Sequence, residues 1–229
     1  INSVFGKLLI GLEYVFKRSG PMTMGASQLC GFAKSDPSKD TPNLQFHIQP
    51  ISTDKLGGAN LHDFHAFTPT VANIRPTSRG EISISSSDTK VNPKIKMNYL
   101  STDEDRKVAA DGIKLIRKIV METNEFKKYE PEEFRPGSHL NNKEEIVKAC
   151  SHYAQTIFHP VGTCKMGNDD SAVVSDKLKV HGINKLRVID ASIMPNITSG
   201  NTNAPTIMIA EKGAIVPINV STTLDNVDS

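Results

Sequence analysis

The sequence predicts an α+β fold in which an antiparallel sheet with flanking helices is followed by a segment of different character. Apolar and polar residues alternate in three stretches between residues 44 and 99, as they do in half-buried strands. Apolar residues recur at helical spacing on both sides of these strands. After residue 156 the chain changes to one short apolar run and a final helical pattern, so we expect a second domain there.

Residues 1–19 predict the first helix. Apolar side chains recur there at helical spacing, and Ser19-Gly20-Pro21 stops the pattern. Lys7 and Glu13 interrupt the apolar stretch, which is too short and too charged to cross a bilayer. We therefore predict no transmembrane segment.

The alternating stretches predict three strands, at residues 44–49, 81–85 and 94–99. The first strand has a polar face, which we expect to face either water or a cavity. It consists of Gln45, His47 and Gln49. A short polar connection makes the other two an antiparallel pair. Residues 21–40 and 51–69 are rich in loop-forming residues, and we expect loops there.

Two helices are predicted after the strands. Ser101 and Glu104 have the spacing of a capping box, in which a hydroxyl and a carboxylate satisfy backbone N–H groups at a helix start. Asn142 and Glu145 have a similar pattern.

In the second domain, the short apolar run at residues 186–189 predicts a buried parallel strand.

The overall composition narrows the classes of partner. With a net charge of +2 and no basic patch interleaved with aromatic residues, nucleic acid is not expected as a partner. The cysteines, Cys30, Cys150 and Cys164, predict free thiols in a reducing compartment, which favours a cytoplasmic location. His62 and His65 lack a second ligand pair, so no metal site is expected.

Two residues of the second domain are the chemical candidates, and for both a plain structural role is the alternative. His159 precedes a Pro and a Gly-containing turn, where it is either a functional group or a loop histidine with one hydrogen bond. Asn203 lies just before a helix that Pro205 suits in its first turn, so it is either a helix cap or, if Asn201 or Thr202 caps the helix, available for another role.

Three blocks of sequence, 158–167, 186–192 and 199–212, resemble in this order the C-terminal signature of the glucose–methanol–choline family of flavin-dependent oxidoreductases. The segments 75–80 and 98–100 extend the resemblance over nearly all of the chain. Members of that family carry a His in a His-Pro-x-Gly-Thr context and later a second His or Asn. His159 and Asn203 match these two positions.

The resemblance implies oxidation of an alcohol by hydride transfer to N5 of FAD. His159 would act as the general base for the hydroxyl proton. Asn203 would donate its side-chain N–H to the developing alkoxide. The resemblance also implies the cofactor-binding residues: Asp190 and Ala191 against the ribityl-pyrophosphate, Phe158 against the ring, and the helix start at Ala204, Pro205 and Thr206 towards the pyrimidine. For Asp190 a plain strand-end cap is the alternative.

Two residues bear on the substrate. His47 matches a position that lines the active site in choline-oxidising members, with a solvent-facing strand residue as the alternative. Gln28 replaces a Glu that choline enzymes carry four residues before the Phe that is Phe32 here, which favours a primary, uncharged alcohol over choline.

The resemblance also implies a domain plan. Residues 1–20 would be a helix joining to an N-terminal half, 21–156 the substrate-binding domain, and 157–229 a return segment completing an α/β FAD-binding domain. The sequence has no Gly-x-Gly-x-x-Gly turn to hold the FAD pyrophosphate. We therefore expect a C-terminal fragment whose partner is the missing N-terminal half, and which is poorly soluble and inactive alone.

Several alternatives stay open from the sequence. A quinone or other carrier is favoured over oxygen as the electron acceptor. A hydroxynitrile lyase of the same fold, or a truncated, non-catalytic paralogue that serves as a binding or structural module, also fits the sequence. A serine hydrolase is disfavoured, because there is no Gly-x-Ser-x-Gly elbow.

Overall fold

The computed structural model describes residues 3–25, 27–54 and 61–215. The chain divides into two compact units, residues 1–157 and 158–229. Each unit has its own hydrophobic core. The mixture of helices with small antiparallel sheets confirms the predicted α+β class.

Among the described residues, all of the strands and all of the α-helices except α5 lie in the first unit. The described α-helices are α1 (Val4–Lys17), α2 (Asp103–Glu122), α3 (Asn124–Lys127), α4 (Lys143–Tyr153) and α5 (Asn203–Ile215). The described strands are β1 (Leu29–Ala33), β2 (Leu44–Gln49), β3 (Thr68–Asn73), β4 (Glu81–Ser83) and β5 (Lys94–Lys96). Short 3-10 turns occur at Pro21–Thr23 and Ala191–Ile193.

The larger sheet is antiparallel, in the order β1-β2-β3. Its core face carries Leu44 and Phe46 of β2, which pack with Val108 of α2. A Cβ atom at Gly112 would lie only 3.1 Å from both methyl carbons of Val71, so the glycine lets α2 approach β3 closely. The core of the first unit is therefore the contact between this sheet face and α2.

One strand lies where a loop was predicted: β1 falls within 21–40, and that prediction is wrong there. β3 was not predicted either, but it overlaps only the last two residues of the predicted loop at 51–69. β1 contains Gly31, and β3 contains Pro69, both residues that strands usually avoid. Both strands lie at the edges of the sheet, where a proline is tolerated because one side of the strand has no ladder to complete. Residues 55–60 of the predicted loop at 51–69, including Gly57 and Gly58, lie outside the described residues.

The polar face of β2 does not look at water along its whole length. Gln45 is only 2% exposed and its side-chain amide donates to Sγ of Cys30 at 3.3 Å, and Gln49 is also buried. Only His47 is partly exposed. Of the two alternatives, water or a cavity, water is therefore wrong for both glutamines. Gln45 can be buried because its amide finds a partner, Cys30, on the next strand.

The smaller sheet confirms the predicted antiparallel pair. β4 pairs with β5 so that Ile82 lies opposite Ile95, and both strands are shorter than the alternating stretches. A Cβ atom on Gly80 would collide with the backbone of Lys96 and Met97. The entry into this hairpin therefore requires a glycine.

The helix starts are polar, as predicted, with one difference. Asn142 caps α4 by accepting from the N–H of Glu145 at 2.8 Å, which confirms the second start. At α2 the cap is Thr102, whose hydroxyl accepts from the N–H of Asp105 at 3.3 Å, so the prediction of Ser101 as the cap is wrong by one residue.

The apolar run 186–189 does not form the predicted parallel strand. Within the described residues it makes a single antiparallel bridge, between Lys179 and Arg187. Val188 and Ile189 pack against the core of the second unit, which contains Val174 and Leu178. The run is therefore apolar because it covers that core.

Helix α1 buries none of its residues, although its sequence is largely apolar. The exposed apolar side chains are Val4, Phe5, Leu8, Leu9, Leu12, Val15 and Phe16. Among the described residues, no helix combines the length and the apolar character that a membrane crossing requires. The exposed face of α1 is thus an apolar surface that the described residues leave exposed.

Asp105, in the first turn of α2, ties that helix to the segment before β4. Its carboxylate is 4% exposed and accepts from the backbone N–H groups of Thr77 and Ser78, each at 2.9 Å. It also accepts from the side-chain amide of Asn73 at 3.2 Å. Burial acts to raise the pKa of Asp105, but the hydrogen bonds from Ser78 and Thr77 outweigh it, and the pKa is lowered from its ordinary value.

We expect Asp105→Asn to lower the free energy of unfolding by about 2–3 kcal/mol at neutral pH, since it removes charge-assisted hydrogen bonds to a buried group. Because the folded pKa lies below the unfolded one, this stabilisation is present above the unfolded pKa and is lost as the pH falls through the folded pKa. Urea unfolding of both proteins over an acidic pH series should show the difference shrinking.

Asp103→Asn is the matched control, because its side chain is 91% exposed in the same helical turn and pairs with Arg106. We expect it to change the free energy of unfolding by less than about 0.5 kcal/mol. Equal losses in the two variants, or a loss at Asp105 that does not depend on pH, would contradict the assigned role.

Candidate active site

The candidate site is built on a loop of the second unit that begins at Phe158. Phe158 has a left-handed backbone with φ of 63°, which is uncommon for a residue with a Cβ atom, and its side chain is 72% exposed. His159 follows it directly. The loop is held against the 3-10 turn by hydrogen bonds from Cys164 N–H to the Ser192 carbonyl (3.0 Å) and from Met166 N–H to the Ile193 carbonyl (2.8 Å).

Both ring nitrogens of His159 are engaged by adjacent residues. Nδ1 lies 3.0 Å from Oγ1 of Thr202, and Nε2 lies 2.8 Å from Nδ2 of Asn201. The ring is partly buried, and Thr202 is 6% exposed. The imidazole therefore bridges the 158 loop to the segment that leads into α5.

Thr202 occupies the cap position of α5. Its carbonyl accepts from the backbone N–H of Thr206 at 3.0 Å and from the Thr206 hydroxyl at 2.6 Å. Asn203 is the first helical residue and is exposed, and Pro205 lies in the first turn as expected. Of the three candidate caps, Thr202 is the one the structure supports.

Asn203 and His159 are not hydrogen-bonded to each other within the described part of the chain. Asn201 occupies the position next to Nε2 instead. From the sequence, Asn201 and Thr202 are expected only as candidate helix caps, and their contacts with His159 are not predicted. The available signal was their location, directly before the residue that matched the family's second position.

Asp190 makes a local turn. Its carboxylate accepts from the backbone N–H of Ser192 at 2.8 Å and from the Ser192 hydroxyl at 2.5 Å, which caps the 3-10 turn. Its neighbour Ala191 packs against the core of the second unit. Asp190 is exposed, so it lies at the surface although it caps the turn.

The two predicted substrate residues lie at the β1–β2 edge of the first unit. Nδ1 of His47 is 3.2 Å from Oγ of Ser27, and Cys30 is directly opposite His47 in the strand register. Gln28 immediately precedes β1 and donates from its amide to Sδ of Met24 at 3.2 Å. Both residues are therefore placed at one end of the same strand pair.

The described residues of the second unit fit the ring end of a flavin. The exposed ring of Phe158 is a flat apolar surface, and the exposed first turn of α5 at Asn203 and Ala204 presents N–H groups without helical partners. Such a turn favours electronegative groups. In the described ranges, no group of three or more His, Cys, Asp or Glu side chains is arranged to hold a metal.

Gly213 sets the distance between α5 and the core of the second unit. A Cβ atom there would lie 2.5 Å from Cγ2 of Ile189 and 3.3 Å from Cδ1 of Leu178. Since α5 carries Thr202 and Asn203 at its start, this contact also positions the candidate site.

A family model, described as GMC oxidoreductase, matches residues 76–210 of the chain. Curated proteins match over a longer range. An alcohol dehydrogenase [acceptor] of Pseudomonas putida is 44% identical over 207 residues, and an oxygen-dependent choline dehydrogenase of Proteus mirabilis is 42% identical over 205 residues. Each alignment covers 90% of this chain, which spans 37% of the length of each of these relatives.

Two solved structures of oxidases also match this chain. A variant of the formate oxidase of Aspergillus oryzae, studied for FAD modification, matches with a TM-score of 0.80 and 26% identity, over 91% of this chain and 41% of its own. The pyridoxine 4-oxidase of Mesorbium loti matches with a TM-score of 0.72 and 29% identity, over 82% of this chain and 37% of its own.

We expect Gly213→Ala to destabilise the second unit by about 1–3 kcal/mol, because the new methyl group overlaps Ile189 in a packed contact. Gly11→Ala is the matched control, since nothing lies within 4 Å of a Cβ atom at that helical position. The control should be neutral or stabilising by up to about 1 kcal/mol. Thermal unfolding followed by circular dichroism measures both, and an unchanged midpoint for Gly213→Ala would contradict the close contact.

Proposed function

This chain belongs to the glucose–methanol–choline (GMC) oxidoreductase family, and from that premise we propose that it is the C-terminal portion of an FAD-dependent enzyme that oxidises an alcohol to an aldehyde. The observation that carries the proposal is the placement of His159. Its imidazole is partly buried and is held at both nitrogens beside the start of α5. A fixed imidazole next to a helix N-terminus suits proton removal from a hydroxyl whose oxygen becomes negative.

In the proposed reaction Nε2 of His159 accepts the hydroxyl proton of the alcohol. Asn201 must then give up its contact with Nε2, because one nitrogen lone pair cannot serve the amide and the alcohol together. The side chain of Asn203, exposed at the first position of α5, donates its N–H to the alkoxide oxygen. His159 and Asn203 thus act on the same oxygen atom.

Bound FAD supplies the hydride acceptor, which no side chain provides. On this side of the cofactor we propose that Phe158, Ala204, Pro205 and Thr206 contact the ring, and that Asp190 and Ala191 contact the ribityl-pyrophosphate. The exposed ring of Phe158 supports the contact with the ring, and the exposed carboxylate of Asp190 supports acceptance of hydrogen bonds from the ribityl hydroxyls.

The remainder of the FAD site would come from a preceding N-terminal half. Three observations support this. The chain spans 37% of the length of the Pseudomonas putida relative, its sequence has no Gly-x-Gly-x-x-Gly turn, and the apolar side chains of α1 are exposed. In this account residues 1–20 join the two halves, 21–156 form the substrate-binding domain, and 157–229 complete the FAD-binding domain.

We propose a primary, uncharged alcohol as the substrate, and a quinone or similar carrier rather than oxygen as the electron acceptor. The neutral amide of Gln28 supports the first choice, because a quaternary ammonium substrate would find no carboxylate there. His47, on the neighbouring strand, would line the same pocket.

The test is anaerobic reduction of the flavin in the full-length polypeptide by a panel of primary alcohols, followed at the visible flavin band. We expect bleaching in the wild type and a rate about 10²–10⁴-fold lower in His159→Gln. For Asn203→Ala we expect a loss of about 10²–10³-fold. His152→Gln, an exposed histidine of α4, is the control and should bleach normally.

The possible failures of this test differ from one another. A colourless protein would contradict FAD binding and favour a non-catalytic module. A yellow protein that cleaves a cyanohydrin without bleaching would favour a lyase. If the His159→Gln variant is yellow and fully active, the role of the imidazole as general base is contradicted.

Gln28→Glu tests the substrate class. A carboxylate at this position adds attraction for a quaternary ammonium group, so we expect kcat/KM for choline to rise about tenfold, which corresponds to about 1.4 kcal/mol. Activity on a neutral alcohol should fall or stay unchanged. Steady-state assays of both substrates measure the ratio, and an unchanged ratio would place Gln28 outside the substrate pocket.

A further inference from the structure

The hydroxyl of Thr202 is placed as a helix cap but does not bond as one. A capping Thr usually accepts from the N–H of the second or third helical residue. The third residue of α5 is Pro205, which has no N–H. The second, Ala204, has one, but among the described residues the Thr202 hydroxyl bonds only to His159. The buried hydroxyl therefore serves the imidazole rather than the helix start.

The contact at the other ring nitrogen decides which way that bond runs. Nδ2 of Asn201, an amide donor, lies 2.8 Å from Nε2 of His159, so Nε2 is the acceptor. A neutral imidazole with an acceptor at Nε2 carries its proton on Nδ1. Nδ1–H then donates to Oγ1 of Thr202 at 3.0 Å.

We propose that Thr202 is a positioning residue that, together with Asn201, holds His159 in the tautomer with the proton on Nδ1 and the lone pair on Nε2. The amide of Asn201 makes Nε2 the acceptor, and the buried hydroxyl of Thr202 supplies the acceptor that the Nδ1 proton needs. Its relevance to catalysis rests on the proposed function, because a base must present its lone pair to the substrate. Thr202 is suited to this role because it is buried and its carbonyl is held by both the N–H and the hydroxyl of Thr206.

Asn201 completes the arrangement as the group that holds Nε2 in the absence of an alcohol. It keeps the lone pair directed at a donor, so the ring does not need to turn when the hydroxyl of the substrate replaces the amide. The two residues are consecutive in the chain, so one short segment fixes both sides of the ring.

The test is two-bond proton–nitrogen NMR of the full-length polypeptide, which distinguishes the two neutral tautomers of each histidine by their nitrogen shifts. The His159 signals are those lost in His159→Gln. Spectra are recorded at a pH above the histidine titration range. We expect a protonated Nδ1 at His159 in the wild type and in Thr202→Ser, and a shift towards protonated Nε2 in Thr202→Val.

Thr198→Val is the matched control, since it removes a hydroxyl from the same segment without touching His159, and it should leave the tautomer unchanged. A wild-type signal with the proton on Nε2 would overturn the proposal, even if Thr202→Val does not fold. The proposal would also be overturned if Thr202→Val folds and keeps the wild-type tautomer.

A second experiment, on the full-length polypeptide, separates this proposal from the proposed function. There we expect Thr202→Val to slow flavin reduction roughly 10–100-fold with little change in KM, and to alter its pH profile, while Thr202→Ser restores both. A Thr202-dependent tautomer in a protein that oxidises no alcohol would leave the positioning role intact and remove the proposed function. Normal oxidation by Thr202→Val would overturn the catalytic importance of the tautomer.

Discussion

The candidate site depends on the hydrogen bonds that His159 makes with the segment before α5. Thr202 and Asn201 approach the ring from its two nitrogens, so the ring has no freedom to rotate without breaking one of them. The loop that carries His159 is in turn pinned to the 3-10 turn by backbone hydrogen bonds. These contacts convert two loops into a defined site, although neither loop belongs to a sheet or a long helix.

The support for this site comes from the core of the second unit. The apolar run at 186–189 and the buried residues Val174, Leu178 and Ile209 pack together. Gly213 allows α5 to lie directly on this core. Because α5 begins with Asn203, close packing at its C-terminal end fixes the direction in which its N-terminal turn points. Packing and proposed chemistry are therefore linked through one helix.

The sequence predicted what depends on local pattern and missed what depends on tertiary neighbours. The helix stripe of α1, the cap at Asn142 and the β4–β5 pair follow from residue spacing and were correct. The edge strands β1 and β3 were missed because their pairing with β2 outweighs a glycine and a proline.

The site shows the same division. The motif identified the imidazole of His159, but its partners are set by how the chain folds back more than forty residues later. A pattern search treats Asn201 and Thr202 as a helix start, and in the backbone Thr202 does occupy the cap position. The bond of its hydroxyl to the imidazole is compatible with Pro205, whose missing N–H removes one of the two usual capping donors, but this is recognised only when the helix start is known.

A structure of the full-length polypeptide with FAD and an unreactive alcohol analogue would test directly whether His159 and Asn203 act on the same oxygen atom. We expect the hydroxyl oxygen of the analogue to lie within hydrogen-bonding distance of both Nε2 of His159 and the side-chain amide of Asn203, with Asn201 displaced from Nε2. An analogue bound elsewhere, with Asn201 still on Nε2, would contradict it.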